Sequence, residues 1–94
     1  MDTLLSDPAW QDRIDAERIG AAGFSSGGYT VLALGGAKYE ASRLAEYCAS
    51  EDHGPDCDLA DPNLEVDFAG SERSYKDERI QAIFAMAPAV GQAI

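Results

Sequence analysis

Two short apolar runs, IGAAGF at positions 19–24 and IQAIFAMA at 80–87, set the terms on which this chain can fold. Each follows the same polar lead-in, an aspartate and then Glu-Arg-Ile, as DAERI at 15–19 and DERI at 77–80. A run this short, apolar without alternation and bounded by polar residues and glycine or proline, reads as a strand buried on both faces, the kind found in parallel sheets. After the first run the period changes. Tyr29, Val31, Leu32 and Leu34 fall at helical intervals from Ser26 onward, and Gly35-Gly36 supplies a stop. A second helix is expected over about 39–49, with Ala41, Leu44, Tyr47 and Cys48 on one face and charges on the other. The expected fold class is therefore α/β: strand about 19–24, helix about 26–35, helix about 39–49 and strand about 80–87. Together they form a βαβ unit with parallel strands and a right-handed crossover.

The rest of the chain frames this unit. TLLSDPAWQDRI gives one or two helical turns ended at Asp7-Pro8, since the residue before proline is pushed out of the helical region, and Trp10 is expected to anchor a loop. Residues 50–78 carry many acids and most of the breakers (Gly54, Pro55, Pro62, Gly70) with no helical or strand period, so they read as a long acidic surface excursion. At 94 residues the chain is a single domain at most, and a large α/β sheet is present only in part.

Charge and hydropathy exclude several functions. Seventeen acidic against seven basic residues give a net charge of −10, which repels phosphate backbones and argues against nucleic acid as a partner. The longest apolar runs, about eight to ten residues, are too short to span a bilayer, so no membrane role is expected. The opening MDTLLSDPAW has acids where an export signal carries positive charge, so such a signal would lie outside this chain, and its location is left open.

The chemistry concentrates at GFSSGG, positions 23–28. A strand that turns directly into a helix packing back on the sheet needs backbone angles that side chains obstruct, and small flanking residues relieve the crowding. Ser25 sits at the tip with Gly23 and Gly27 on either side, in the pattern Gly-x-Ser-x-Gly with a strand before it and a helix after it: the arrangement of a nucleophile elbow. A non-glycine residue strained in this way costs about 1–3 kcal/mol, which calls for a functional reason. The helix start places positive partial charge beneath Ser25, and the backbone N–H of Ser26 is aimed where a substrate carbonyl becomes an oxyanion. A plain glycine-rich βα turn is the bland alternative. A phosphate-cradling loop is excluded, because no Gly-Lys-Ser/Thr follows and no Gly-x-Gly-x-x-Gly is present.

The text RIDAERIGAAGFSSGGYTVLALGGA, a helix ending at Cys48, a second cysteine after a short polar loop, and DERIQAIFAMAPAVG together resemble the dienelactone-hydrolase-like branch of the α/β-hydrolases. Platelet-activating-factor acetylhydrolases and secreted polyesterases are near relatives of that branch. The resemblance implies that 19–24 corresponds to the family's fifth strand, 26–34 to the helix behind the nucleophile and 80–87 to its sixth strand. It places Ser25 on the nucleophile of an enzyme that hydrolyses esters or lactones through serine, histidine and an acid. In that fold the acid and then the histidine follow the nucleophile, and the second oxyanion donor precedes it. None of these has a counterpart here, so the chain is expected to be the central segment of a serine hydrolase. The alternative is a catalytically inactive truncated fragment that folds by self-association.

The single histidine, His53, lies in the excursion and reads as a solvated loop residue, as do Asp52, Asp56 and Asp58. Without a base, Ser25 is a weak nucleophile. Cys48 and Cys57 carry three readings: a disulfide, which the often exported members of the family would permit, two free thiols, or a zinc site with His53 whose spacing matches no common finger. No cofactor or metal is expected. Tyr29, Tyr39, Tyr47 and Phe84 read as packing groups. The expected partners are a small ester or lactone and further copies of the chain. Those copies would join through exposed sheet edges, with Ala21, Phe24, Ile83, Phe84 and Met86 as the uncovered apolar surface.

Overall fold

The computed structural model describes residues 1–60, 70 and 72–94. Strand β1 (Ile19–Phe24) pairs in parallel with the second strand, β2 (Ile80–Met86), in a two-stranded sheet. The ladder aligns Gly20 with Ala82, Ala22 with Phe84 and Phe24 with Met86. A register shift between Ile19 and Gly20 leaves Gln81 as the extra residue of a bulge. Paired residues of parallel strands share a face. Gly20, Ala22, Phe24, Ala82, Phe84 and Met86 therefore line one face, and Ala21, Gly23, Ile83 and Ala85 the other.

Helix α2 (Ser26–Leu34), preceded in the chain by the short α1 (Asp2–Ser6), covers the second of these faces and packs against both strands. Gly28 and Val31 are its buried residues. At its far end a Cβ placed on Gly35 would stand 2.9 Å from Ile83 Cδ1, so the helix lies directly on the strands. Among the described residues no helix packs on the first face, where Phe24 is 69% and Phe84 65% exposed. The runs are apolar on both sides, and among the described residues only one side is covered, which leaves open apolar surface as the sequence implies. The residue set differs: Ala21 and Ile83 belong to the α2 side, and Phe84 is not a core packing group.

A second packing centre lies away from the sheet. Helix α3 (Ala41–Cys48) turns Leu44, only 1% exposed, onto Tyr39, Val90 and Ala93, with Tyr29, Ala41, Tyr47 and Cys48 around them. The helix begins two residues later than the spacing suggests. Glu40 is extended at φ −124°, ψ 104°, because its amide donates to the Ala93 carbonyl at 2.6 Å and Tyr39 is drawn into the core. Burial pushes the Tyr39 phenol pKa up, with Tyr29 and Glu72 adding to the shift. Arg43 pairs with Glu40 at 2.7 Å and donates to the Ile94 carbonyl, fastening the C-terminal residues to α3.

Helix α1 ends at Asp7, extended before Pro8, as proline sterics require. Trp10 is 48% exposed and so does not anchor the loop that follows. Arg79, just before β2, ties α1 to that strand's start, donating to both Asp2 and Asp77. Beyond a 3₁₀ turn at Pro55–Ala60, positions 61–69 and 71 of the expected excursion lie outside the described residues.

Candidate active site

Ser25 is the hinge between β1 and α2. Its backbone stands at φ 56°, ψ −118°, outside the regions open to L-residues at low energy, and its side chain is exposed. Three hydrogen bonds hold it there. The Ser25 N–H donates to the Met86 carbonyl at 3.0 Å, and the Ser25 carbonyl accepts from the N–H of Tyr29 at 3.1 Å and of Ala89 at 2.9 Å. One face of this clamp is the first turn of α2 and the other is the chain leaving β2. That departing segment is itself strained, with Ala87 at φ 39° and Val90 at φ 48°. Ala87 therefore turns out of the sheet instead of ending the strand as the sequence suggests.

The glycines divide the work unequally. A Cβ on Gly23 would fall 2.1 Å from the Gly27 carbonyl oxygen, an impossible approach, so the strand can reach the helix only as glycine. A Cβ on Gly28 would come within 2.9 Å of the Met86 oxygen and 3.0 Å of Pro88 Cα. At Gly27 it would meet nothing within 4 Å. The crowding expected at Gly27 thus falls on Gly28 instead. Gly27 contributes its backbone, which Gly23 must clear.

Above the corner, the Ser26 N–H is the first amide of α2 and takes part in none of the hydrogen bonds among the described residues. The first amides of a helix have no intrahelical acceptor, so this donor is left for an external oxygen. Ser25 Oγ likewise has no hydrogen-bonded partner among the described residues. A general base has to stand within hydrogen-bond reach of the hydroxyl it activates, and none does among the described residues.

His53 is exposed, in the loop after α3, where the neighbouring Gly54 amide donates to the Tyr47 hydroxyl at 2.8 Å. It makes no hydrogen bond to Ser25. Asp52 and Asp58 are exposed as well, and the Asp56 side chain lies outside the described residues. Cys48 and Cys57 are joined as a disulfide with Cα atoms 5.5 Å apart, so neither sulfur is a thiolate ligand. Among the described residues no group of three or more His, Cys, Asp or Glu is placed to hold a metal. Tyr29 and Tyr75 line a hollow of about 360 Å³ with Thr30, Ala33 and Leu34, along α2 and without Ser25.

Reading the sequence missed the partners that hold the corner. Met86 and Ala89 contribute only backbone atoms, which leave no trace in residue type. The signal that was available is the Ala-Pro-Ala-Val stretch itself, because a proline directly after a strand marks a change of direction. Comparisons of the chain with protein-family models, with curated proteins and with solved structures each returned no match.

Proposed function

We propose that this chain carries the nucleophile segment of a serine hydrolase of the α/β-hydrolase type, cleaving a carboxylic ester or lactone through an acyl-enzyme. Ser25 Oγ attacks the acyl carbon, and the Ser26 N–H stabilises the oxyanion that forms, aided by the partial positive charge of the α2 N-terminus. The observation that carries this reading is the backbone of Ser25, a non-glycine residue at φ 56°, ψ −118° on an exposed strand-to-helix corner. Three hydrogen bonds and two obligatory glycines are spent on holding a serine where any ordinary turn would place a glycine. No cofactor enters the reading. Among the described residues no histidine or acid is hydrogen-bonded to Ser25, so the chain by itself is expected to hydrolyse an activated ester such as p-nitrophenyl acetate near the uncatalysed rate.

The test is covalent capture. A fluorophosphonate reacts with a serine hydroxyl by P–O bond formation, with fluoride leaving and the hydroxyl proton passing to solvent. Peptide mass mapping of the treated chain compares Ser25 with Ser6, Ser26, Ser42, Ser50 and Ser74 under one set of conditions. Adduct forming first on Ser25, and lost in Ser25→Ala, supports the assignment. Adduct spread evenly over the serines, or absent from Ser25 while others react, overturns it.

A further inference from the structure

We propose that Val90 is a positioning residue for the oxyanion donor: seated in the Leu44 cluster, it holds the Ala89 N–H on the Ser25 carbonyl and so aims the Ser26 N–H. This rests on the reading of Ser25 as a nucleophile and adds how its donor is set. The peptide between Ser25 and Ser26 carries both groups. That peptide is trans and planar, so the Ser25 C=O and the Ser26 N–H point in opposite directions from one rigid plane. Whatever fixes the carbonyl therefore fixes the amide. The carbonyl accepts twice, from the Tyr29 N–H at 3.1 Å and from the Ala89 N–H at 2.9 Å. The Tyr29 bond lies within α2 and turns with the helix, and the Ser25 N–H bond to Met86 belongs to the preceding peptide. It is the Ala89 bond that ties this plane to the chain leaving β2. Hydrogen bonds in series polarise one another, so the same contact strengthens the Ser26 N–H as a donor.

Ala89 is held by the residue after it. Val90 stands at φ 48°, ψ 30° in the left-handed region, an outlier for a β-branched residue that persists only where its surroundings over-determine it. A strap that needed only to turn would carry glycine there. The Val90 side chain is 8% exposed, packed with Tyr39, Leu44 and Ala93. Its carbonyl accepts from the Ala93 N–H at 2.9 Å, and the Ala93 carbonyl accepts from the Glu40 N–H at 2.6 Å. The C-terminal residues are thus fastened to α3 and its lead-in. At the other end Met86 is paired with Phe24 in the ladder, and Pro88 presses on Gly28, where an added Cβ would stand 3.0 Å from Pro88 Cα. Between these anchors run only Ala87, strained at φ 39°, Pro88, with φ locked by its ring, and Ala89. A strap so short and so constrained passes the placement of Val90 directly to the Ala89 N–H.

The experiment is amide hydrogen exchange of the full chain and of Val90→Gly, read by NMR, alongside fluorophosphonate labelling of Ser25. Glycine adopts the left-handed backbone freely but has no side chain to seat in the cluster. The Ala89 amide is expected to lose protection at least tenfold, while the Ser25 and Tyr29 amides, bonded to the Met86 and Ser25 carbonyls, keep theirs. Labelling of Ser25 is expected to slow at least tenfold, with Ser42 and Ser50 unchanged. A valine that merely stabilised the fold would lower all three amides together. Should Val90→Gly fail to fold, Val90→Ala, which keeps a Cβ and loses most of the seat, is read in the same way, with at least a threefold loss expected. An Ala89 amide that exchanges freely in the unsubstituted chain, one equally protected in the variant, a fall shared by all three amides, or Ser25 labelling unmoved by the loss each overturns the proposal. Labelling that does not favour Ser25 in the unsubstituted chain overturns the nucleophile reading instead, and the Ala89 comparison still decides whether Val90 holds the strap.

Discussion

At the scale of single residues, the corner stores strain that its surroundings hold in place. Ser25 at φ 56° holds about 1–3 kcal/mol of backbone strain. Glycine adopts that conformation freely and gives back about 0.5–1 kcal/mol through the greater freedom of the unfolded chain. Ser25→Gly is therefore expected to raise stability by about 1 kcal/mol in urea denaturation, at the expense of the hydroxyl. A fall in stability would show that the serine side chain contributes more than its backbone costs. The neighbouring glycines give a sharper contrast. Gly23→Ala drives a methyl to 2.1 Å from the Gly27 oxygen and is expected to lose about 3 kcal/mol or fail to fold. Gly27→Ala meets nothing and gains helix propensity of up to about 1 kcal/mol. Denaturation of the two variants side by side checks both. Ser25 and Gly23 could be picked out from the sequence because their roles depend on residue type. Gly28 could not, since its crowding comes from the Met86 and Pro88 backbone, which only the fold brings near.

At the scale of elements, β1 and β2 were legible as short apolar runs behind a repeated Glu-Arg-Ile lead-in, and α2 from its helical spacing. What was not legible was which residues line the open face. An apolar run shows that a strand can be buried on both faces, but the register that sets Ala21 and Ile83 on the α2 side is a property of the fold. The start of α3 failed for a related reason: helical spacing includes Tyr39, but the Glu40 amide takes its acceptor from Ala93, far along the chain. The disulfide that ties the end of α3 to the Pro55–Ala60 turn closes a short loop, separation nine, for which the chain-entropy argument gives about 2–3 kcal/mol. Intact mass with and without reductant should differ by about two daltons, and the reduced chain should unfold at lower urea; identical masses would rule the bridge out. At the start of β2, hydrogen bonds from Arg79 hold the Asp77 carboxyl at about 2, well under its usual 3.8, and lower that of Asp2 as well. Carboxylates held low in the folded chain keep this tether at full strength above pH 3.8 and lose it as the pH falls toward 2. The carboxyl carbon shift of Asp77 should titrate near 2 and return to ordinary aspartate behaviour in Arg79→Met. The pair is only partly buried, with the Arg79 side chain 41% and that of Asp77 20% exposed, so the substitution should move that titration more than global stability.

At the scale of the whole molecule, the chain is long and thin, 53 × 23 × 16 Å, with its packing split between the α2 side of the sheet and the Leu44 cluster. Neither centre is large, and the described buried hydrophobic residues are few. If the open face is closed by a second copy, folding and association are one equilibrium, and the unfolding midpoint must rise with chain concentration. Differential scanning calorimetry over a hundredfold range of concentration checks this; a constant midpoint would assign all the stability to the single chain.

The clamp on Ser25 also has a consequence in time. Its acceptor on Met86 and its donor on Ala89 lie some sixty residues downstream, and β1 has its only described strand partner in β2. Synthesis proceeds at about 5–20 residues per second, so several seconds pass between the emergence of GFSSGG and the arrival of the backbone groups that lock it. Through that interval the nascent chain carries an unpaired apolar strand and an unformed corner. Unless such segments are shielded at the ribosome, aggregate should form during translation, before any finished molecule has unfolded.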